Sequence, residues 1–286
     1  MKILKYILGA GLGTLLITSC GEQHETEEHK DETPELTIPK DTTPVTVNEE
    51  TKMKFDFAIA NIPSPVETIN EISNWGIEYD NSLLNDPKKS GTYKDEFIKA
   101  VNLGIYNIDM AYAMVNDKGQ DVLKYMKGTM SQAEALGLRG AIDQMVGKRA
   151  EQNLSNKDSL LKILDQIFVK SDEYLRTNER VFTATSVFAG SWVEGLYLTS
   201  KIAQKATDAA VKEKAYKHLW DQRFYLKNLI DLLEDYKDKK EAVALNNDFK
   251  AIHSEIEAIK DPKELKDAQF ASISGKIIAL RERLTK

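Results

Sequence analysis

The chain has one cysteine in 286 residues, Cys20, so no disulfide can close within it. Its four histidines are also sparse: His24, His29, His218 and His253. None stands in a His-Glu-x-x-His or Glu-x-x-His arrangement, so zinc-protease and di-iron ligand sets are excluded. No Gly-x-Ser-x-Gly elbow and no phosphate-binding loop occurs. Gly9, Gly11 and Gly13 imitate part of a dinucleotide fingerprint, but no strand–helix unit follows them. Clustered basic residues interleaved with aromatics are missing, and the formal net charge is -6. Such a chain has no electrostatic basis for holding nucleic-acid phosphates. Asn-Gly turns and strand-length alternation are missing too, which argues against a β architecture.

What is present begins at the N-terminus. Lys2 and Lys5 precede an uncharged apolar run from Ile7 to Ile17, and Thr18 and Ser19 place small side chains before Cys20. The run of 11 residues is well short of the roughly 20 needed to span a bilayer. A lone thiol in a secreted protein calls for a reason. The segment Leu16-Ile17-Thr18-Ser19-Cys20 resembles the lipobox of bacterial lipoproteins. That resemblance implies a signal peptide over 1–19, lipidation of Cys20 and attachment to the cell envelope, at the outer membrane. Without residues 1–19 the chain loses two lysines, and its formal charge moves from -6 to -8.

Residues 20–53 are expected to form a tether. Glu22, Glu25, Glu27, Glu28, Asp31, Glu32 and Glu35 repel one another, and Pro34, Pro39 and Pro44 remove backbone donors. Acidic residues soon after the lipid-bearing cysteine also resemble the surface-export signals of Bacteroidota lipoproteins. Either the periplasmic face or the cell surface is then the expected location.

From 54 to 286 the chain reads as all-α, a bundle of eight or nine helices with candidate sub-bundles at 54–176 and 177–286. Helices are expected near 65–85, 93–116, 119–136, 139–153, 157–176, 179–205, 208–237, 240–259 and 263–284. Ser64-Pro65-Val66-Glu67 and Asp261-Pro262-Lys263-Glu264 carry N-cap, N1-proline and N3-glutamate signals, and Thr92 and Ser155 are further candidate caps. Leu245, Phe249, Ile252, Ile256 and Ile259, then Phe270, Ile273, Ile277, Leu280 and Leu284, form two narrow seams suited to a C-terminal hairpin. Between Val181 and Leu198 the only charge is Glu194. A helix apolar on all faces, with small residues and one glutamate, reads as the buried centre of a bundle rather than a membrane span.

Two segments place polar groups in apolar helices. Asn102, Tyr106 and Asp109 share one face of the first. Trp192, Glu194 and Tyr197 lie in the second, and Tyr112 and Arg180 complete the candidate pocket. A buried carboxylate needs a cationic or donor partner, for which Arg180 and Arg149 are the candidates. The alternative is that these groups only fix helix register. Both segments resemble stretches of uncharacterised Bacteroidota helical lipoproteins, a resemblance that implies no activity. His218 and His253 are read as packing or surface residues, and no metal, cofactor or dedicated catalytic residue is expected. The leading expectation is a non-catalytic body that binds a small ligand or a protein partner. A hydrolase-like enzyme using Asp109 and Glu194, and a structural component of an envelope assembly, are the alternatives.

Overall fold

The computed structural model describes residues 49–138, 148–149, 152–153, 156–177 and 180–286, and these described residues form ten α-helices. They are α1 (Glu49–Asn61), α2 (Pro65–Ser73), α3 (Glu96–Val115), α4 (Gly119–Ala135) and α5 (Lys157–Thr177), followed by α6 (Val181–Lys205), α7 (Ala209–Asp221), α8 (Arg223–Leu233), α9 (Lys240–Glu257) and α10 (Asp267–Leu284). No strand occurs among the described residues, and the all-α bundle expected from the sequence is what forms. The signal segment, Cys20, the acidic stretch to residue 48, Ser155 and most of the expected 139–153 helix lie outside the described residues.

Helix boundaries follow the local capping chemistry. Ser64 Oγ accepts the Glu67 N–H at 3.2 Å, while Glu67 Oε2 accepts the Ser64 N–H at 2.8 Å, closing a reciprocal capping box on α2. That helix stops at Ser73 rather than near 85, because Gly76 turns the chain at φ 78°. Residues 81–91 then form two 3-10 turns, Asn81–Leu83 and Pro87–Gly91, capped by Asp80 and Asp86. Asp95, not Thr92, caps α3 by accepting the Ile98 N–H at 3.1 Å. Asp261 caps a short 3-10 turn at Pro262–Glu264, so α10 begins only at Asp267. The expected 208–237 helix is broken at Gln222. There Arg223 bonds back to the Trp220 carbonyl at 2.8 Å and its guanidinium lies over the Trp220 and Phe224 rings. Helix α1 starts at Glu49, inside the segment expected to be tether; Phe55 is buried against Phe188, and Thr51 and Lys54 both bond to Asp235.

The centre of the bundle is the pair α3 and α6, one from each candidate sub-bundle. Phe97 stacks on Phe182, Ser191 bonds to the Gly104 carbonyl and Asp109 lies beside Glu194. These pairings rise together along both helices, so the two run parallel. Their backbones touch through two glycines. A Cβ on Gly104 would collide with the Val187 carbonyl, and one on Gly190 with the Val101 carbonyl. The hydroxyls of Thr185, Ser186 and Thr199 return to carbonyls one turn back, which satisfies polar groups on a helix otherwise enclosed by apolar neighbours. Among the described residues no helix is long and apolar enough to cross a membrane. Helices α9 and α10 form the expected antiparallel hairpin: Glu255 meets Ser272 and Lys276, and Asp248 meets Arg283. All ten seam residues are buried.

The glycine contact can be measured by urea unfolding. Gly104→Ala and Gly190→Ala should each cost about 2–3 kcal/mol or more, because backbone, not a pliable side chain, occupies the space. Gly275→Ala, on the open face of α10 with nothing within 4 Å, should gain about 0.5–1 kcal/mol. Unchanged stability in the first two variants would contradict the close α3–α6 approach.

Candidate functional site

The polar face of α3 meets two segments far away in sequence. Asn102 donates to the Ile98 carbonyl at 2.9 Å and to the Leu284 carbonyl at 2.8 Å, tying α3 to the last residue of α10. Its Oδ1 accepts from Asn85 Nδ2 at 3.1 Å, and that amide also donates to the Tyr93 hydroxyl at 3.0 Å. Tyr106 donates its hydroxyl to the Asp86 carbonyl at 3.0 Å. Burial pushes the Tyr106 phenol far up, so it remains a donor. One turn on, Asp109 Oδ2 accepts the Asn85 N–H at 3.0 Å. Asn102, Tyr106 and Asp109 therefore share a face, as their spacing requires, and that face grips the 81–91 segment from below.

Asp109 and Glu194 are brought together, both without solvent exposure. Glu194 is held by Arg281 of α10 in a two-pronged pair, Nε to Oε2 at 2.9 Å and Nη2 to Oε1 at 3.0 Å. The Arg281 guanidinium also lies 4.4 Å from the centre of the Tyr197 ring. Burial works against the Arg281 charge, yet Glu194 holds its pKa above the usual range. Burial, followed by repulsion from Glu194, raises Asp109 well above the ordinary carboxylate range, although Arg281 pulls the other way. Beside the Glu194–Arg281 ion pair, Asp109 is thus pushed toward its neutral form. Asp109 Oδ1 has no partner at standard hydrogen-bond geometry, and the Asp109 carboxyl interacts with that of Glu194. A proton on Asp109 makes that contact attractive. The stability consequence has a definite sign. Above about pH 4 the unfolded Asp109 ionises while the folded one does not, so this group increasingly favours unfolding until the folded pKa is reached.

The remaining candidates fall around this cluster or outside it. Tyr197 packs on Arg281, Tyr112 lies against Tyr79 with ring centres 5.1 Å apart, and Trp192 packs edge-on against Phe249 at 5.1 Å. Arg180 is not the counter-ion of either carboxylate: it binds Glu96 and the Leu136 carbonyl, both at 2.6 Å. It stands at the start of α6, about 20 Å of helix from Glu194. Arg149 is also elsewhere, donating to Gln166 at the surface. Arg281 and Asn85 are the residues the spacing arguments missed. Arg281 carried a signal, since it occupies the buried stripe Phe270, Ser274, Ile277, Arg281 and Leu284. Asn85 carried none, as it fell at the end of a helix that does not extend so far. His218 is buried, with Nδ1 3.0 Å from Glu71 Oε2, and its ring packs edge-on against Trp75. That contact lowers the Glu71 pKa.

Where α6 meets Ile62, Pro63, Thr68, Ile108 and His218, a cavity of about 20 Å3 is lined on the α6 side by Ser191, Trp192 and Gly195. This is room for one water, far below the several hundred Å3 of a ligand pocket. The residues of 102–112 and 190–197, where a concave pocket was expected, are buried in the bundle. The two carboxylates meet the proximity that acid–base catalysis needs, but not its access to substrate. Among the described residues no group of three His, Cys, Asp or Glu side chains is placed to hold a metal. Comparison with protein-family models, curated proteins and solved structures finds no significant match to the chain.

Removing one member of the ion pair should expose its cost. Arg281→Met or Glu194→Gln alone is expected to lose about 3–5 kcal/mol of unfolding free energy, because a buried charge or polar head loses its partner. The paired replacement Glu194→Leu with Arg281→Met should lose much less than the sum. Additive losses in this double-mutant cycle would rule out the coupling.

Proposed function

We propose that the chain is an envelope lipoprotein, attached to the outer membrane through lipid on Cys20. Its helical body binds a small ligand or a protein partner and performs no chemistry of its own. One observation carries the non-catalytic part: the sole juxtaposed carboxylates from the candidate set, Asp109 and Glu194, are fully enclosed, and Glu194 is committed to Arg281. Groups so placed hold helices together and cannot reach a substrate. The support for the anchor is the sequence around Cys20, where a basic start, an 11-residue apolar run and small residues lead to the only thiol. An assembly role would favour a broad apolar patch on the C-terminal hairpin. Among the described residues the exposed large hydrophobics are Met53, Phe57, Val169, Phe224 and Val243, of which only Val243 lies there.

Fractionation of cells expressing the Cys20→Ala variant checks the anchor. The variant is expected to leave the membrane fraction while its helical circular dichroism and unfolding midpoint match the wild type. Retention of the folded variant in membranes would overturn the lipid attachment.

A further inference from the structure

The buried network has an upper side as well as a lower one. Above it, the 81–91 segment and α4 enclose an open groove of about 590 Å3, within the size range of small-ligand sites. Asp121, Lys124, Tyr125 and Gly128 line it at helical spacing from α4, and Leu84, Pro87 and Lys88 line it from the facing segment. Leu84 and Tyr125 are buried and give it an apolar floor. Gly128 lets the two walls close up, since even a Cβ there would lie 3.4 Å from Pro87 Cβ.

The charges around the groove divide into committed and uncommitted groups. Asp121 is already occupied by Lys124 Nζ at 2.7 Å and the Tyr79 hydroxyl at 3.0 Å. Its pKa is lowered, first by Lys124, so it stays an anion within that pair. Asp86 also lines the groove and adds a negative charge to it, its Oδ1 accepting the backbone N–H of Lys88 at 3.0 Å. The ammonium groups of Lys88 and Lys127, one on each wall, have no ion-pair partner among the described residues. The segment carrying Lys88 is held from inside by Tyr106, Asp109 and Asn102, by Gln132 through the Ser90 carbonyl, and by Lys89 bonded to the Thr285 carbonyl at 2.9 Å. A wall fixed this way loses little conformational entropy on binding.

We propose that this groove binds a small organic anion, a carboxylate or phosphate carried on a ring or short apolar body. The anionic group lies between Lys88 and Lys127, and the apolar part covers Leu84, Pro87 and Tyr125. The proposal rests on reading the body as a binding module and names where that module binds. Because both lysines are exposed, the attraction is screened by salt.

Calorimetric titration of the full chain with phenyl phosphate tests it, with phenol and inorganic phosphate as half-probes. Phenyl phosphate should bind at least about tenfold more tightly than either half-probe, since it alone satisfies both floor and charges. Lys88→Gln with Lys127→Gln should weaken it by about tenfold or more, whereas Lys214→Gln on exposed α7 should not. Raising sodium chloride should weaken binding to the wild type far more than to the double variant. Equal affinity of wild type and double variant, or no phenyl phosphate binding at millimolar concentration, would overturn the site. Binding to phosphatidate vesicles without binding of phenyl phosphate would assign the lysines to a membrane surface and overturn it as well. Should a native molecule co-purify with the protein and persist in the double variant, the binding reading survives and this groove falls.

Discussion

The bundle depends on accommodating three ionisable groups, Asp109, Glu194 and Arg281, at the junction of its central helices. Taking such groups out of water costs several kcal/mol each unless they are paired and hydrogen-bonded. Arg281 meets both oxygens of Glu194, and burial together with Glu194 favours the neutral form of Asp109, which carries no second negative charge. The three residues belong to α6, α10 and α3, so the charge arrangement fixes how those helices sit together. A shift of α10 by one residue would carry Arg281 off its stripe and leave Glu194 without a counter-ion.

Around this point the other constraints align. Gly104 and Gly190 set the separation of α3 and α6, which brings Asp109 within reach of Glu194. The Leu284 carbonyl, one turn beyond Arg281, is taken by Asn102, so α10 is held by a side chain at each of two successive turns. Asn102, Tyr106 and Asp109 then extend the same network to Asn85 and Asp86. Residues that look like a pocket when read along one helix thus work as a clamp. They order a segment without regular α-helix, and that segment forms one wall of a surface groove.

Much of this was readable from the chain, for physical reasons that differ by element. The two seams of α9 and α10 have a strict apolar repeat, and helical period leaves little choice about how such seams pack. The enclosure of α6 followed from its lack of charge, and the shared face of Asn102, Tyr106 and Asp109 from local geometry. Readings failed where a tertiary partner decided the outcome. Arg180 and Arg149 were nearer to Glu194 in sequence, but helical rise carries Arg180 away, and the counter-ion comes from 87 residues downstream. Gly76 ended α2 earlier than its polar sequence suggested, which moved Asn85 from a helix face into a loop that can reach Asp109. The start of α1 lay hidden in acidic sequence because its stability comes from Phe55 packing on Phe188 and from Asp235, neither a local signal.

An enclosed acid beside a paired carboxylate is the centre of the polar core, and its role there depends on the protonation of Asp109. The most direct measurement is the carboxyl carbon chemical shift of Asp109, followed by nuclear magnetic resonance between pH 4 and pH 8. The predicted result is the shift of a protonated acid at neutral pH, with any titration far above the ordinary aspartate range. A carboxylate shift already complete by pH 5 would contradict the account, because an anionic Asp109 would then lie buried without a counter-ion beside the Glu194–Arg281 pair.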